Sequence, residues 1–278
     1  MQIVRWGIVG CGDVTEVKSG PGFSKAERSE LVAVMRRDVS LAEDYACRHG
    51  VPRFYGSADD LILDAGVDVV YVATPPSSHR ELAMKVAEAG KPCLVEKPMA
   101  LNHAECEDMV KVFNAKGLPL FVAYYRRALP RFLRVRELLK SGTIGTLSSV
   151  HIVQYGRLDT GEITKGWRYD PSISGGGLFL DLGSHGLDLL DFLVGPIKSV
   201  GGFSVNTGGS YRAEDVTAAA FEFESGVVGT GVWNFNADHT GDSTTTLTGR
   251  KVTVGAPGNS TIVSAAYGNV GDTAYFLS

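Results

Sequence analysis

Ile3-Val4-Arg5-Trp6-Gly7-Ile8-Val9-Gly10-Cys11-Gly12-Asp13-Val14-Thr15 is the stretch that decides the fold. Residues 3–9 read as a strand, and the glycines break it before a helical pattern begins. Gly10 suits a tight turn. Gly12 lets the backbone, with Asp13 and Val14 at the helix start, approach a pyrophosphate. Thr15 stands where the usual pattern has a third glycine, so looser helix–strand packing is expected there. A plain turn gives the same short match. What favours dinucleotide binding is the alternating strand–helix array in which the turn sits.

Working outward, Leu31–Met35 reads as the second strand and runs into Arg36-Arg37-Asp38. NAD enzymes carry an acidic residue here for the ribose hydroxyls, whereas two guanidinium groups suit the 2′-phosphate of NADP. NADP is therefore the favoured cofactor. Asp38 keeps NAD open, as does a merely solvated basic edge. Further on, Asp68–Ala73 and Cys93–Glu96 read as strands and Ser77–Ala89 as a helix. The next helix has Asn102 as N-cap, Glu105 in capping-box position and Gly117 past its end, and Leu120–Ala123 is a strand. This alternation predicts an α/β dinucleotide-binding Rossmann domain with a parallel, doubly wound sheet over residues 1–123.

The pattern then changes. Arg127–Lys140 and the leucine-rich Leu178–Leu193 read as helices, Thr146–Tyr155 as a strand, and Val216–Glu224 with Val227–Val232 as a hairpin at Ser225-Gly226. Residues 124–278 are therefore expected to form an α+β domain with a mostly antiparallel sheet. From 237 the chain is rich in Thr, Gly and Ser, with room for a short strand such as Lys251–Val254.

Of the 278 residues, 44% are hydrophobic and 21% charged, a globular composition with material for sizeable cores. The net charge of −4 argues against nucleic acid or an anionic membrane as the main partner. No apolar run approaches the ~18 residues of a membrane helix, and the first residues lack the pattern of a signal peptide. A cytoplasmic protein is expected. Cys11, Cys47, Cys93 and Cys106 form no CxxC pair and are expected to be reduced.

Two constellations carry possible chemistry. Glu96-Lys97-Pro98 ends a strand at the carboxyl edge of the sheet, where ligands of doubly wound folds bind. Lys97 there is in reach of a cofactor's reactive end and a substrate hydroxyl, although a plain surface lysine fits the same position. The second is Gly175-Gly176-Gly177 running into Asp181 and His185, which share a helical face four residues apart. A carboxylate beside an imidazole makes a general base near neutral pH, and the glycines permit a ligand close to the backbone. A structural Asp–His pair is the alternative, as is half of a metal site; the latter lacks further ligands, and no metal is expected.

Together these motifs, with Gly7-Ile-Val-Gly10-Cys-Gly12 and Ala73-Thr-Pro-Pro-Ser-Ser-His79, resemble the glucose–fructose oxidoreductase / inositol dehydrogenase / rhizopine-catabolism (Gfo/Idh/MocA) family over roughly residues 2–250. The resemblance implies a Rossmann domain followed by a domain with a large open sheet that shapes the substrate pocket and joins a homodimer or homotetramer. By similarity, Lys97, Asp181 and His185 match the family's catalytic lysine, aspartate and histidine. Thr74, Pro75, Pro76, His79 and Glu96 match positions lining the cofactor. Arg126 falls among the cofactor-end contacts, and Tyr125, Tyr155, Trp167 and Arg168 among the substrate contacts. The tail lacks the C-terminal helix that family members usually carry, which implies a shortened or altered C-terminus.

The expected activity is NAD(P)-dependent hydride transfer on a secondary alcohol or ketone of a small carbohydrate-like molecule: a sugar, polyol, inositol or cyclic diol. Two alternatives share the fold. One is a non-catalytic NAD(P)-binding regulator, which has no need of Lys97, Asp181 and His185 together. The other is a glycosidase that uses tightly bound NAD transiently.

Overall fold

The computed structural model describes residues 3–156, 166–237 and 244–249, and the backbone of three further short strands. It forms two compact units that part between Ala123 and Tyr124.

In the first unit the strands are β1 (Val4–Val9), β2 (Ser29–Met35), β3 (Arg53–Tyr55), β4 (Val69–Val72), β5 (Cys93–Val95) and β6 (Leu120–Val122). The helices are α1 (Asp13–Val17), α2 (Gly20–Lys25), α3 (Val39–His49), α4 (Ala58–Leu63), α5 (His79–Glu88) and α6 (His103–Ala115). The six strands are all parallel, in the order β3-β2-β1-β4-β5-β6. Successive side chains of a strand point to opposite faces, so this sheet builds two cores. Val9, Ala33, Val70, Val72 and Val95 pack with Leu61, Leu82, Val86, Met109 and Phe113 on one side. Ile8, Val34 and Tyr71 pack with Phe23, Tyr45 and Ala46 on the other. Burial on both faces is why these strands read as continuous apolar runs. The capping of α6 is largely as expected: Asn102 accepts from the Glu105 amide at 3.0 Å, while Glu105 reaches back to the Leu101 amide at 3.1 Å.

The second unit has strands β7 (Leu147–Tyr155), β8 (Ile197–Val205), β9 (Val216–Phe223), β10 (Val228–Asn234), β11 (Thr244–Gly249), β12 (Thr253–Pro257), β13 (Val263–Ala266) and β14 (Phe276–Leu277). Its helices are α7 (Pro130–Lys140), α8 (Pro171–Ser174) and α9 (Ser184–Val194). The eight-stranded sheet runs β14-β13-β12-β11-β7-β10-β9-β8. It is antiparallel except for the β7–β10 pair. Val150 and Ile152 of β7, Phe221 and Phe223 of β9 and Trp233 of β10 pack with Val135 of α7 and Leu190 of α9.

Some details differ from the sequence reading or extend it. The helix expected from Leu178 to Leu193 is a π-helical turn, Phe179–Gly183, followed by α9. Strand β8 was not anticipated: it is exposed along nearly its whole length and carries Gly201-Gly202, so no apolar alternation marks it. Of the strand expected at 251–254, Thr253 and Val254 are in β12, and Lys251 and Val252 lie outside the described residues. No described helix is long and apolar enough to cross a membrane.

Candidate functional site

The strand order reverses between β1 and β4, and the residues after β1, β4 and β5 line up along one carboxyl edge. The Ala73 amide donates to Val9 O and the Glu96 amide to Val72 O, both at 2.9 Å. That edge is where doubly wound sheets bind ligands, and it holds the glycine turn, Thr74–His79 and Glu96-Lys97-Pro98.

Gly10 has φ +95°, and a Cβ there would lie 2.7 Å from Thr74 Cγ2 and 3.1 Å from the Ala73 carbonyl. Only glycine fits a turn so close to the β4 loop. A Cβ on Gly12 would meet nothing nearer than Gly10 O at 4.0 Å, so the space before it is open. Thr15 does not loosen the packing as expected. It is fully buried, and its hydroxyl accepts from the Gly12 amide at 3.0 Å and donates to Gly12 O at 2.8 Å. With the amides of Gly10 and Cys11 donating to Met35 O, the outward donors are those of Asp13 and Val14, which as the first helical residues have no intrahelical partner. The turn therefore offers an open cradle with two amides, which fits a pyrophosphate. Burial pushes the Cys11 thiol up to about 11, against the pull of the nearby Arg36 charge. This cysteine is inert packing.

Arg36 and Arg37 are exposed beyond β2. Asp38 caps α3, its Oδ1 accepting from the Ser40 amide at 3.1 Å. One carboxylate oxygen is thus held at the helix start.

Thr74, Pro75 and Pro76 follow β4, with Ser78 Oγ 2.8 Å from Thr74 Oγ1 and 2.9 Å from Pro75 O. His79 does not present its ring outward. It is fully buried, with Nδ1 3.0 Å from Pro98 O and Nε2 2.7 Å from Thr74 O. Burial lowers its pKa below the usual 6.5, against the pull of these two carbonyls. Glu96 is also engaged from within: one oxygen takes the Tyr71 hydroxyl and the other the Lys97 amide at 3.0 Å. The Lys97–Pro98 peptide is cis.

In the second unit His185 is 6% exposed at the start of α9. The rings of Tyr124 and Tyr125 meet it edge-on at centroid distances of 5.7 and 5.5 Å. Tyr125 and Arg126 lie in a single 3₁₀ turn, Tyr125–Ala128. Asp181, on the π turn, is 7% exposed and pairs with Arg168 Nε at 3.3 Å. The Arg168 guanidinium lies 4.5 Å from the centre of the Trp167 ring. Tyr155 ends β7, in register with Asn234 of β10. The fold thus gathers Tyr125 with His185, and Trp167 with Arg168 and Asp181. Among the described residues, no group of three or more His, Cys, Asp or Glu is placed to hold a metal ion.

The glycines at 175–177 answer to the chain itself rather than to a ligand. Gly175, at φ +85°, ends α8. A Cβ on Gly177 would fall 2.4 Å from the Glu214 carbonyl oxygen, and its amide donates to Glu214 Oε1 at 2.8 Å.

Residues 4–124 match the oxidoreductase family with an NAD-binding Rossmann fold, and residues 132–254 match the GFO/IDH/MocA C-terminal domain. The chain is 41% identical over 237 residues to Oxidoreductase P35 of Formosa agariphila, covering 84% of this chain and 73% of that protein. The chain belongs to the Gfo/Idh/MocA family. As a member it is an NAD(P)-dependent oxidoreductase. The trans-1,2-dihydrobenzene-1,2-diol dehydrogenase of Mus musculus is 34% identical over 81% of this chain and 67% of its own length. The WlbA dehydrogenase of Bordetella pertussis, solved with NADH and UDP-GlcNAcA, superposes with a TM-score of 0.87 at 26% identity, over 97% of this chain and 79% of that one. The chain thus spans about two thirds to three quarters of the length of these two curated relatives.

Within this Gfo/Idh/MocA chain, sequence reasoning missed four residues around the candidate site. Tyr71 and Ser19 lie behind Glu96, with Tyr71 Oη 3.1 Å from Ser19 Oγ. Arg127 ties the 3₁₀ turn to α9 through Asp188 at 2.6 Å and Asp191 at 2.9 Å; burial raises the Asp188 carboxyl above its usual range. The fourth is Glu214. Asp188 and Asp191, one and two turns beyond His185, were the only sign in the sequence that a cation faced that helix.

Proposed function

We propose that this chain oxidises a secondary alcohol of a sugar, polyol, inositol or cyclic diol, or reduces the matching ketone, with NADP favoured over NAD. Residues 1–123 are the dinucleotide-binding domain in this reading, and residues 124–278 the substrate-binding and assembly domain. The observation that carries it is Lys97 just past the carboxyl end of β5, on the same sheet edge as the open Gly12 cradle, in a chain similar to a trans-1,2-dihydrobenzene-1,2-diol dehydrogenase and to a dehydrogenase solved with NADH and UDP-GlcNAcA.

The amides of Asp13 and Val14 would hold the pyrophosphate, and the exposed Arg36 and Arg37 would serve the 2′-phosphate of NADP. Asp38 bonds the Ser40 amide, which weakens it as a partner for ribose hydroxyls. When bound, the nicotinamide supplies the hydride acceptor or donor. His185, in its neutral form, takes the proton from the substrate hydroxyl and returns it in the reverse direction. The Lys97 ammonium hydrogen-bonds the same oxygen and stabilises the negative charge it develops. Asp181 with Arg168 orients a neighbouring hydroxyl, and Trp167, Tyr125 and Tyr155 supply aromatic surface for the substrate's carbon skeleton. Acid–base assistance of this kind contributes ~10²–10⁴-fold.

The test is a panel of sugars, inositols and trans-1,2-dihydrobenzene-1,2-diol, each assayed with NADP and with NAD. Turnover with at least one of them is expected, with the lower KM for NADP. Lys97→Ala and His185→Ala should each lower kcat by more than about 10²-fold and leave the Kd of the reduced cofactor within about threefold. Turnover surviving both changes refutes the assignment.

A further inference from the structure

We infer that Tyr71 and His79 are positioning residues for Lys97, holding the two ends of its peptide from beneath the sheet edge, and that Glu96 acts through the lysine rather than on the cofactor. This rests on the catalytic reading of Lys97.

A lysine ammonium at the end of four rotatable bonds is only as well placed as the backbone that carries it. On the N-terminal side, the Lys97 amide donates to Glu96 Oε2 at 3.0 Å, and the other Glu96 oxygen takes the Tyr71 hydroxyl. Tyr71 belongs to β4, is fully buried, and has its hydroxyl 3.1 Å from Ser19 Oγ, just beyond the glycine turn and α1. On the C-terminal side, the Pro98 carbonyl faces His79 Nδ1 at 3.0 Å, and Nε2 of the same ring faces Thr74 O at 2.7 Å. Both ends of the Glu96-Lys97-Pro98 segment are thus tied to the β4 strand or the loop after it.

Neither Tyr71 nor His79 has any exposed surface, so neither meets a dissolved substrate, and their effect on the reaction passes through the backbone of Lys97. Packing alone does not call for these polar atoms. A phenylalanine fills the Tyr71 position without the hydroxyl, and a leucine fills much of the His79 position without either nitrogen. What the hydroxyl and the imidazole add is direction at a segment whose neighbour must be placed to within a fraction of an ångström, and misplacement of about 1 Å costs up to ~10²-fold in rate.

The experiment compares Tyr71→Phe, His79→Leu, His79→Asn and Lys97→Ala, with NADP and trans-1,2-dihydrobenzene-1,2-diol as probe substrates, reading kcat, KM and the Kd of NADPH by fluorescence. Tyr71→Phe and His79→Leu should lower kcat by ~10–100-fold while the NADPH Kd stays within about threefold. His79→Asn, whose amide can donate to Pro98 O, should recover most of the loss. Wild-type kcat in Tyr71→Phe and His79→Leu, with Lys97→Ala inactive, overturns the positioning role. An active Lys97→Ala instead overturns the catalytic reading of the lysine. Amide hydrogen exchange at Lys97 in the wild type needs neither a variant nor turnover. Protection well above that of an exposed loop amide supports the clamp, and exchange at the exposed rate refutes it.

Discussion

At the scale of single residues, the decisive differences lie in what a side chain faces. The places of Lys97 after β5 and of the glycine turn after β1 were legible because they follow from local strand and turn patterns. His79 was not, since a histidine in a Thr-Pro-Pro-Ser-Ser-His run reads alike whether it points at a ligand or at two backbone carbonyls. Its burial has a measurable consequence. A histidine whose folded pKa lies below its unfolded value of 6.5 takes up a proton more readily when the chain is unfolded. Its contribution is therefore fully present above pH 6.5 and lost as the pH falls from 6.5 through the lower folded value. Urea denaturation from pH 7.5 to 5 should show wild-type stability falling by up to about 1.4 kcal/mol per pH unit from this one group. His79→Asn should flatten the slope in that window. Equal slopes in the two proteins would show that His79 is not held neutral.

At the scale of elements, helices and strands that bury a face were readable and those that serve a junction were not. The two-faced burial of β1, β2 and β4 left apolar runs visible in the chain, and the caps of α6 were written in Asn102 and Glu105. The π turn at Phe179–Gly183 leaves no such mark, since its residues also suit an α-helix, and it changes how Asp181 and His185 are presented relative to a simple four-residue spacing. The glycines before it belong to the same junction. Their requirement comes from Glu214, far away in sequence, whose carbonyl oxygen would stand 2.4 Å from a Cβ at Gly177. Gly177→Ala should therefore destabilise the second unit by about 1–3 kcal/mol, a Tm loss of roughly 2–4 °C per kcal/mol at this size. Scanning calorimetry checks it. An unchanged Tm would mean that the Glu214 loop yields without penalty.

At the scale of the whole molecule, the second unit ends its sheet with β8, an edge strand that exposes Val200 at 66%, Phe203 at 83% and Val205 at 48%. An exposed apolar edge of this length is a liability for a lone chain. We propose that the homodimer or homotetramer expected from the family resemblance forms through this sheet. Phe203→Glu should shift the mass measured by light scattering toward the monomer while the far-UV circular dichroism is kept. A wild-type monomer at about 50 µM, or an oligomer indifferent to the change, would remove β8 from the interface.

By itself the sequence determined the class of the two halves, the strand-and-turn context of the glycine loop, and the cofactor and catalytic candidates. These depend on local periodicity and residue type, which a chain carries wherever it goes. The tertiary structure alone decided that Tyr71 meets Glu96 and His79 meets Pro98 on either side of Lys97, and that Gly177 makes way for Glu214. Each is a contact between residues remote in the chain, and its partner is chosen by the sheet order rather than by anything near it in sequence.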